Sequence, residues 1–131
     1  MQDRPTYDEL LAAIESFLDA EIVPNTPGRR GFHARVAVNA LRIVRRELQL
    51  RETHLAQEWA GLDAILGPQP RPDEYEAAAD ALRRRNEQLC EIIRSGSAGS
   101  PEQKRRIFEH VAATVRAKLE VSDPRLLQRG A

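Results

Sequence analysis

Apolar positions recur along most of this chain at helical spacing, and nowhere do they alternate as a strand requires. The longest such pattern runs from Gly31 to Leu50 with neither glycine nor proline after its first residue. At about 100° per residue, Phe32, Val36, Ala37, Ala40, Leu41, Ile43, Val44 and Leu48 sweep an arc of roughly 200°. A face that wide needs neighbours on two sides, so this segment is predicted to be the central helix around which the others pack. The opposite wedge carries Arg35, Asn39, Arg42 and Arg46, with Arg45 at its edge.

Boundary signals place the remaining helices. Thr6 and Glu9 fit a capping box, with Asp8 and Glu9 at the positive end of the dipole, and Tyr7, Leu10, Leu11, Ile14, Phe17, Leu18 and Ile22 form the apolar face of a first helix. Pro24 should end it, because Val23 before a proline is pushed out of the helical region. The central helix can continue in phase through Leu55, Trp59, Leu62 and Leu66, with Gly61 costing about 1 kcal/mol. Such a helix would be about 54 Å long, awkward for one compact core. The favoured expectation is therefore a kink or break near Arg51 to Thr53, with Thr53 capping a third helix.

A proline-rich connector, Gly67 to Pro72, then leads to a helix from about Asp73 on Tyr75, Ala78, Ala79, Leu82, Leu89 and Ile93, with Asn86 inside its stripe. Ser100 as N-cap and Pro101 at the first position open a last helix on Phe108, Val111, Ala112, Val115 and Leu119, which Asp123-Pro124 stops. The predicted fold is all-α, a four- to five-helix bundle with a long central second helix. Residues 1–131 form one domain, with 1–4 and 126–131 flexible.

Charge changes this picture only locally. Acidic and basic residues number 20 each, so no net field favours nucleic acid or membrane. Residues 1–23 nevertheless hold six acids against Arg4, and residues 29–51 hold seven arginines against Glu47. The expected consequence is pairing of the arginine seam with Asp8, Glu15 or Asp19 of the first helix. Only Lys104 and Lys118 are lysine among the basic residues, which points to a GC-rich, bacterial coding sequence. The opening stretch is acidic where a signal peptide would be basic, no apolar run reaches the ~20 residues of a membrane span, and a lone Cys90 suits a reducing compartment. A cytoplasmic location is expected.

Motifs for catalysis are missing: the sequence has no phosphate loop, metalloprotease pair, nucleophile elbow or Cys/His ligand spacing. No metal and no cofactor is expected, and a non-catalytic role is favoured over an enzymatic one. His33 stands out because it falls within the apolar arc of the central helix, where an imidazole must find a partner or line a cavity. With Arg35, Asn39, Arg42 and Arg46 it forms the candidate site for a phosphate- or coenzyme A-type ligand. Glu47 lies too far along the helix to pair with His33, and is expected to meet Arg51. Cys90 is flanked by Glu87 and Glu91, which disfavour a thiolate. Leu55, Trp59, Leu62 and Leu66 form the candidate interface stripe for a homodimer or a partner protein, against the alternative that Trp59 is buried in its own chain.

The segments Phe32 to Ala37, Asn39 to Leu41, Ile43-Val44 and Arg46 to Leu48 resemble a bacterial family of small domains of unknown function. Arg4 to Thr6, Glu21 to Pro24 and Val121 to Arg125 are similar to it as well, whereas Arg51-Glu52 and Leu126 depart from its glycine and aromatic positions. Members of that family stand beside, or are fused to, aminoglycoside-phosphotransferase-like kinases and acyl-CoA dehydrogenases. The resemblance thus implies an accessory role in acyl-CoA or small-molecule metabolism, with such a kinase or dehydrogenase as partner. It also makes His33, Arg35 and Asn39 candidates for a shared role.

Overall fold

The computed structural model describes residues 3–128. It is 83% helical, without a strand among the described residues, and four of its helices are seven residues or longer. The all-α expectation holds. Helix α1, Tyr7–Phe17, opens on the predicted capping box: Glu9 N–H donates to Thr6 Oγ1 at 3.3 Å, and Thr6 N–H donates to Glu9 Oε2 at 2.8 Å.

Pro24 does not end the first helical segment where expected. From α1 the chain enters a π-helical turn, Leu18–Ile22, followed by a short helix α2, Val23–Asn25, and Val23 keeps helical angles. The wider turn supplies the reason. Val23 N–H donates to Leu18 five residues back, and this looser register accommodates a proline ring that would strike the carbonyl four residues back in a regular α-helix. The chain leaves the helix only at Thr26, in extended conformation.

Helix α3 spans Gly28–Leu66 without interruption, so the break expected at Arg51 to Thr53 is absent. Its first glycine sits at φ +70°, a left-handed entry that suits a residue without a side chain. Gly31 is buried against the Thr26 carbonyl, where a Cβ would collide with the oxygen. Nothing in Arg51-Glu52-Thr53 breaks a backbone ladder, and each residue that stays helical keeps a hydrogen bond. The residues form two compact units, one up to Gln49 with Val121–Asp123, the other Leu50–Glu120 with the segment from Pro124. Each unit uses one half of α3, so a length of about 58 Å need not fit within a single core.

In the first unit α1 and α3 run antiparallel, since Asp8 meets Arg45 and Gln49 while Asp19 meets Arg42. Val38 and Val121 are its deeply buried apolar side chains. The second unit carries the larger core. There α3 is joined by α4, Tyr75–Ser95, and α5, Pro101–Ser122, around Leu62, Leu89, Ala98 and Ile107, with Ile65, Leu66, Leu82 and Ile92 packed against them. Helix α4 closes on Gly96 in the left-handed conformation, and α5 opens as predicted, with Gln103 N–H donating to Ser100 Oγ at 3.1 Å. A final turn, α6, covers Arg125–Gln128. Of the termini expected to be flexible, residues 1, 2 and 129–131 lie outside the described residues, and Leu126 to Gln128 are part of α6.

Leu62 has no exposed surface at all. Truncating it to alanine should lower unfolding stability by about 2–5 kcal/mol, read as a fall in the urea midpoint at constant m. A cost below about 1 kcal/mol would mean that α3, α4 and α5 do not enclose it.

Candidate functional site

The arginine seam is engaged within the chain. Arg42 donates through Nε to Glu15 and through Nη2 to Asp19, both at 2.8 Å. Arg45, at the edge of the predicted seam, is the most heavily bonded member: Nε and Nη2 fork onto the two Asp8 carboxylate oxygens at 2.9 and 3.3 Å, and Nη1 reaches Glu15 at 2.7 Å. Gln49 adds a third donor to Asp8 at 3.1 Å. The hydrogen bonds from Arg45 hold the Asp8 carboxyl below its ordinary range. Burial raises that of Glu15, but the bonds from Arg45 and Arg42 outweigh it and the net shift is downward. The stability these carboxylates contribute is therefore present above their ordinary range and is lost as pH falls through the lowered values.

Arg46 turns elsewhere. It donates to the Val121 carbonyl at 2.7 Å and to that of Ser122 at 3.5 Å, satisfying carbonyls at the negative end of α5. Arg35 and Asn39 are exposed, with no side-chain partner among the described residues. His33 is exposed too, so it is not the buried imidazole that its place in the arc suggested. It accepts from Arg29 Nε at 3.3 Å and meets the edge of Phe32, with ring centroids 5.8 Å apart. Thus His33, Arg35, Asn39, Arg42 and Arg46 divide among different tasks and surroundings. Two of the guanidinium groups proposed for a ligand already have acceptors of this chain.

The apolar arc that called for two neighbours is largely uncovered. Phe32, Val36 and Val44 on α3 and Tyr7, Leu10, Ile14 and Phe17 on α1 are each about half exposed. With the acids of α1 turned onto the arginines, helical phase puts Tyr7, Leu10 and Ile14 on the same flank of the antiparallel pair as Ala37 and Val44. The ionic seam and this apolar flank lie on different sides of the hairpin.

The stripe expected to serve as an interface is covered instead. Leu55 and Trp59 are 5% exposed, Leu62 not at all, and Leu66 is half-buried against the core. Trp59 Nε1 donates to the Gln69 carbonyl at 3.2 Å, and the Arg85 guanidinium lies 4.8 Å from the Trp59 ring centroid. Burial within its own chain, the alternative reading of Trp59, is what its environment matches. Arg85 is the polar residue that sequence reasoning missed. Its side chain is 3% exposed, pairs with Asp63 at 2.7 Å and caps α3 through the Gly67 carbonyl at 2.8 Å. The signal was present: Ala78, Leu82, Arg85 and Leu89 follow i, i+4, i+7, i+11 spacing, so Arg85 occupies a core position of α4.

A small cavity of about 40 Å³ lies between α3 and α5 in the second unit, lined by His54, Glu58, His110 and Thr114 together with Ala113 and Ala117. The helices are antiparallel here, with His54 2.8 Å from Glu120 and His110 seated against Gly61, where a Cβ would strike the imidazole. Asn86 Nδ2 donates to Glu58 at 2.7 Å. The space suits a water molecule or two rather than an organic ligand. No group of three or more metal-ligating side chains converges among the described residues, and no helix is long and apolar enough to cross a membrane.

Two expectations follow. Replacing Arg42 and Asp19 by alanine, singly and together, should give a coupling of about 0.3–1 kcal/mol in denaturant midpoints; independent effects would show that the pair contributes nothing. Burial holds the His110 imidazole below its ordinary value, against an opposing pull from Glu58. Since the unfolded chain binds the proton more readily, the contribution of neutral His110 is complete above about pH 6.5 and declines as pH falls towards the lowered value. The stability difference between the native protein and a His110→Gln variant should therefore shrink between pH 7 and 5; a difference constant over that range contradicts a buried neutral ring.

No curated protein and no solved structure matches the chain. One family model does, over residues 24–126, a span that takes in α3, α4 and α5 with all the candidate residues but not the acids of α1. The chain belongs to the family described as domain of unknown function DUF6285.

Proposed function

We propose that this protein is a non-catalytic helical interaction module, bacterial and cytoplasmic, whose docking surface is the apolar flank of the α1–α3 hairpin. The observation that carries the reading is the half exposure of Tyr7, Leu10, Ile14, Phe17 and Val44 on neighbouring helices. Contiguous apolar surface of this kind is unfavourable in water and marks a site of association. The engagement of Arg42 and Arg46 supports the same choice over a phosphate- or coenzyme A-binding site at His33, because a ligand there would have to displace internal acceptors. The metabolic setting in this reading is the one implied by the family resemblance: acyl-CoA or small-molecule phosphotransfer chemistry, carried out by a phosphotransferase-like kinase or an acyl-CoA dehydrogenase that the module serves.

A photo-crosslinking amino acid placed at Ile14 in the intact protein in cells tests the reading. Adducts are expected at that position and not at exposed Arg83 on α4. Thermal melts with coenzyme A or inorganic phosphate should show no saturable rise. No adduct from Ile14, or a saturable increase in Tm with either compound, would replace the interaction module by a ligand-binding protein.

A further inference from the structure

The apolar flank limits what can cover it. Between Tyr7 and Phe17 the exposed flank of α1 carries no charged side chain, and helical phase places Ala37, Leu41, Val44 and Leu48, again without a charge, along the facing flank of α3. Asp8, Glu15 and Asp19 pair with Arg42 and Arg45 on its other side. A fitting occupant therefore presents an uncharged apolar strip several helical turns long. Burying charge against this flank would cost desolvation that nothing on it returns.

A second copy of the chain carries such a strip. The half-exposed side chains of Tyr7, Leu10, Ile14, Phe17 and Val44, with exposed Ala37 and the partly exposed Leu41 and Leu48 beside them, offer roughly 600 Å² per copy, or about 1,200 Å² for two, at the lower edge of what specific interfaces bury. The formal net charge of zero means that copies do not repel as they approach. An antiparallel pair of helices with one apolar side is also half of a four-helix bundle, and a two-fold axis through that side completes it with identical contacts on both copies.

We infer that the protein is a two-fold homodimer in which the α1–α3 hairpins of two copies pack flank to flank into a four-helix bundle. This rests on the interaction reading above and names its first partner. The second apolar strip, Phe108, Val111 and Val115 on α5, is confined to a single helix and serves as the internal control.

Sedimentation equilibrium of the full chain at about 1–100 µM, a range chosen for micromolar affinity, should give twice the 14.8 kDa chain mass. Ile14→Glu and Val44→Glu should each raise the dissociation constant by about 30-fold or more, with far-UV circular dichroism unchanged because both side chains are already on the surface. Phe108→Glu should leave the dimer intact. A monomer throughout the range, a dimer that survives both flank substitutions, or one that dissociates only with Phe108→Glu overturns the proposal. A monomer that still gives heterologous adducts from Ile14 in cells overturns the second copy and leaves the interaction module standing, whereas a monomer with no adduct removes both.

Discussion

The pairing of two guanidinium groups, Arg42 and Arg45, with the acids of α1 and of the π turn that follows it is the constraint on which the first unit depends. Both arginines hold two carboxylates, and Glu15 bridges them. Exposed ion pairs add little stability, so their weight here is in register and rotation. Asp8, Glu15 and Asp19 can meet the arginines only if one face of α1 turns towards α3. That rotation leaves Leu10, Ile14 and Phe17 half in water. A helix pair joined by charge, with Val38 and Val121 as its deeply buried apolar side chains, leaves much of its hydrophobic surface in water.

The second unit is organised the other way. Its core is apolar and closed, and the buried Arg85 within it is matched through two of its three nitrogens. Arg85 ties α4 to the end of α3 through Asp63 and the Gly67 carbonyl while lying over Trp59. Its Nε is the buried side-chain nitrogen left without a partner among the described residues. Gly61 has a similar structural use, since the missing side chain lets His110 of α5 sit against α3. What reads in the sequence as a weak helix position is a close approach between helices. Trp59, Arg85, His110 and Gly61 thus explain one another as packing, and none of them needs a ligand to account for it.

Much of the fold was legible in the sequence because it is written in local rules. The capping box at Thr6, the Ser100 cap and the opposite charges of the first two helices all follow from spacing along the chain. Features that failed to show are those set by tertiary context. Helicity through Pro24 depends on a π turn that periodicity does not register. The unbroken α3 was obscured by assuming that a helix must fit one core, when its halves belong to different units.

The candidate residues divided for the same reason. Position on a wheel tells which residues share a face, but not which face a neighbour chooses. Leu55, Trp59 and Leu62 are buried, whereas the arc holding His33, Val36 and Val44 stayed open. Isotope-filtered nuclear Overhauser measurements on a sample mixed from labelled and unlabelled chains examine that choice directly. The account requires contacts between the Leu10 and Ile14 methyls of one copy and the Val44 methyls of another. If those methyls contact only side chains of their own copy, no second copy covers the flank and the dimer described is contradicted.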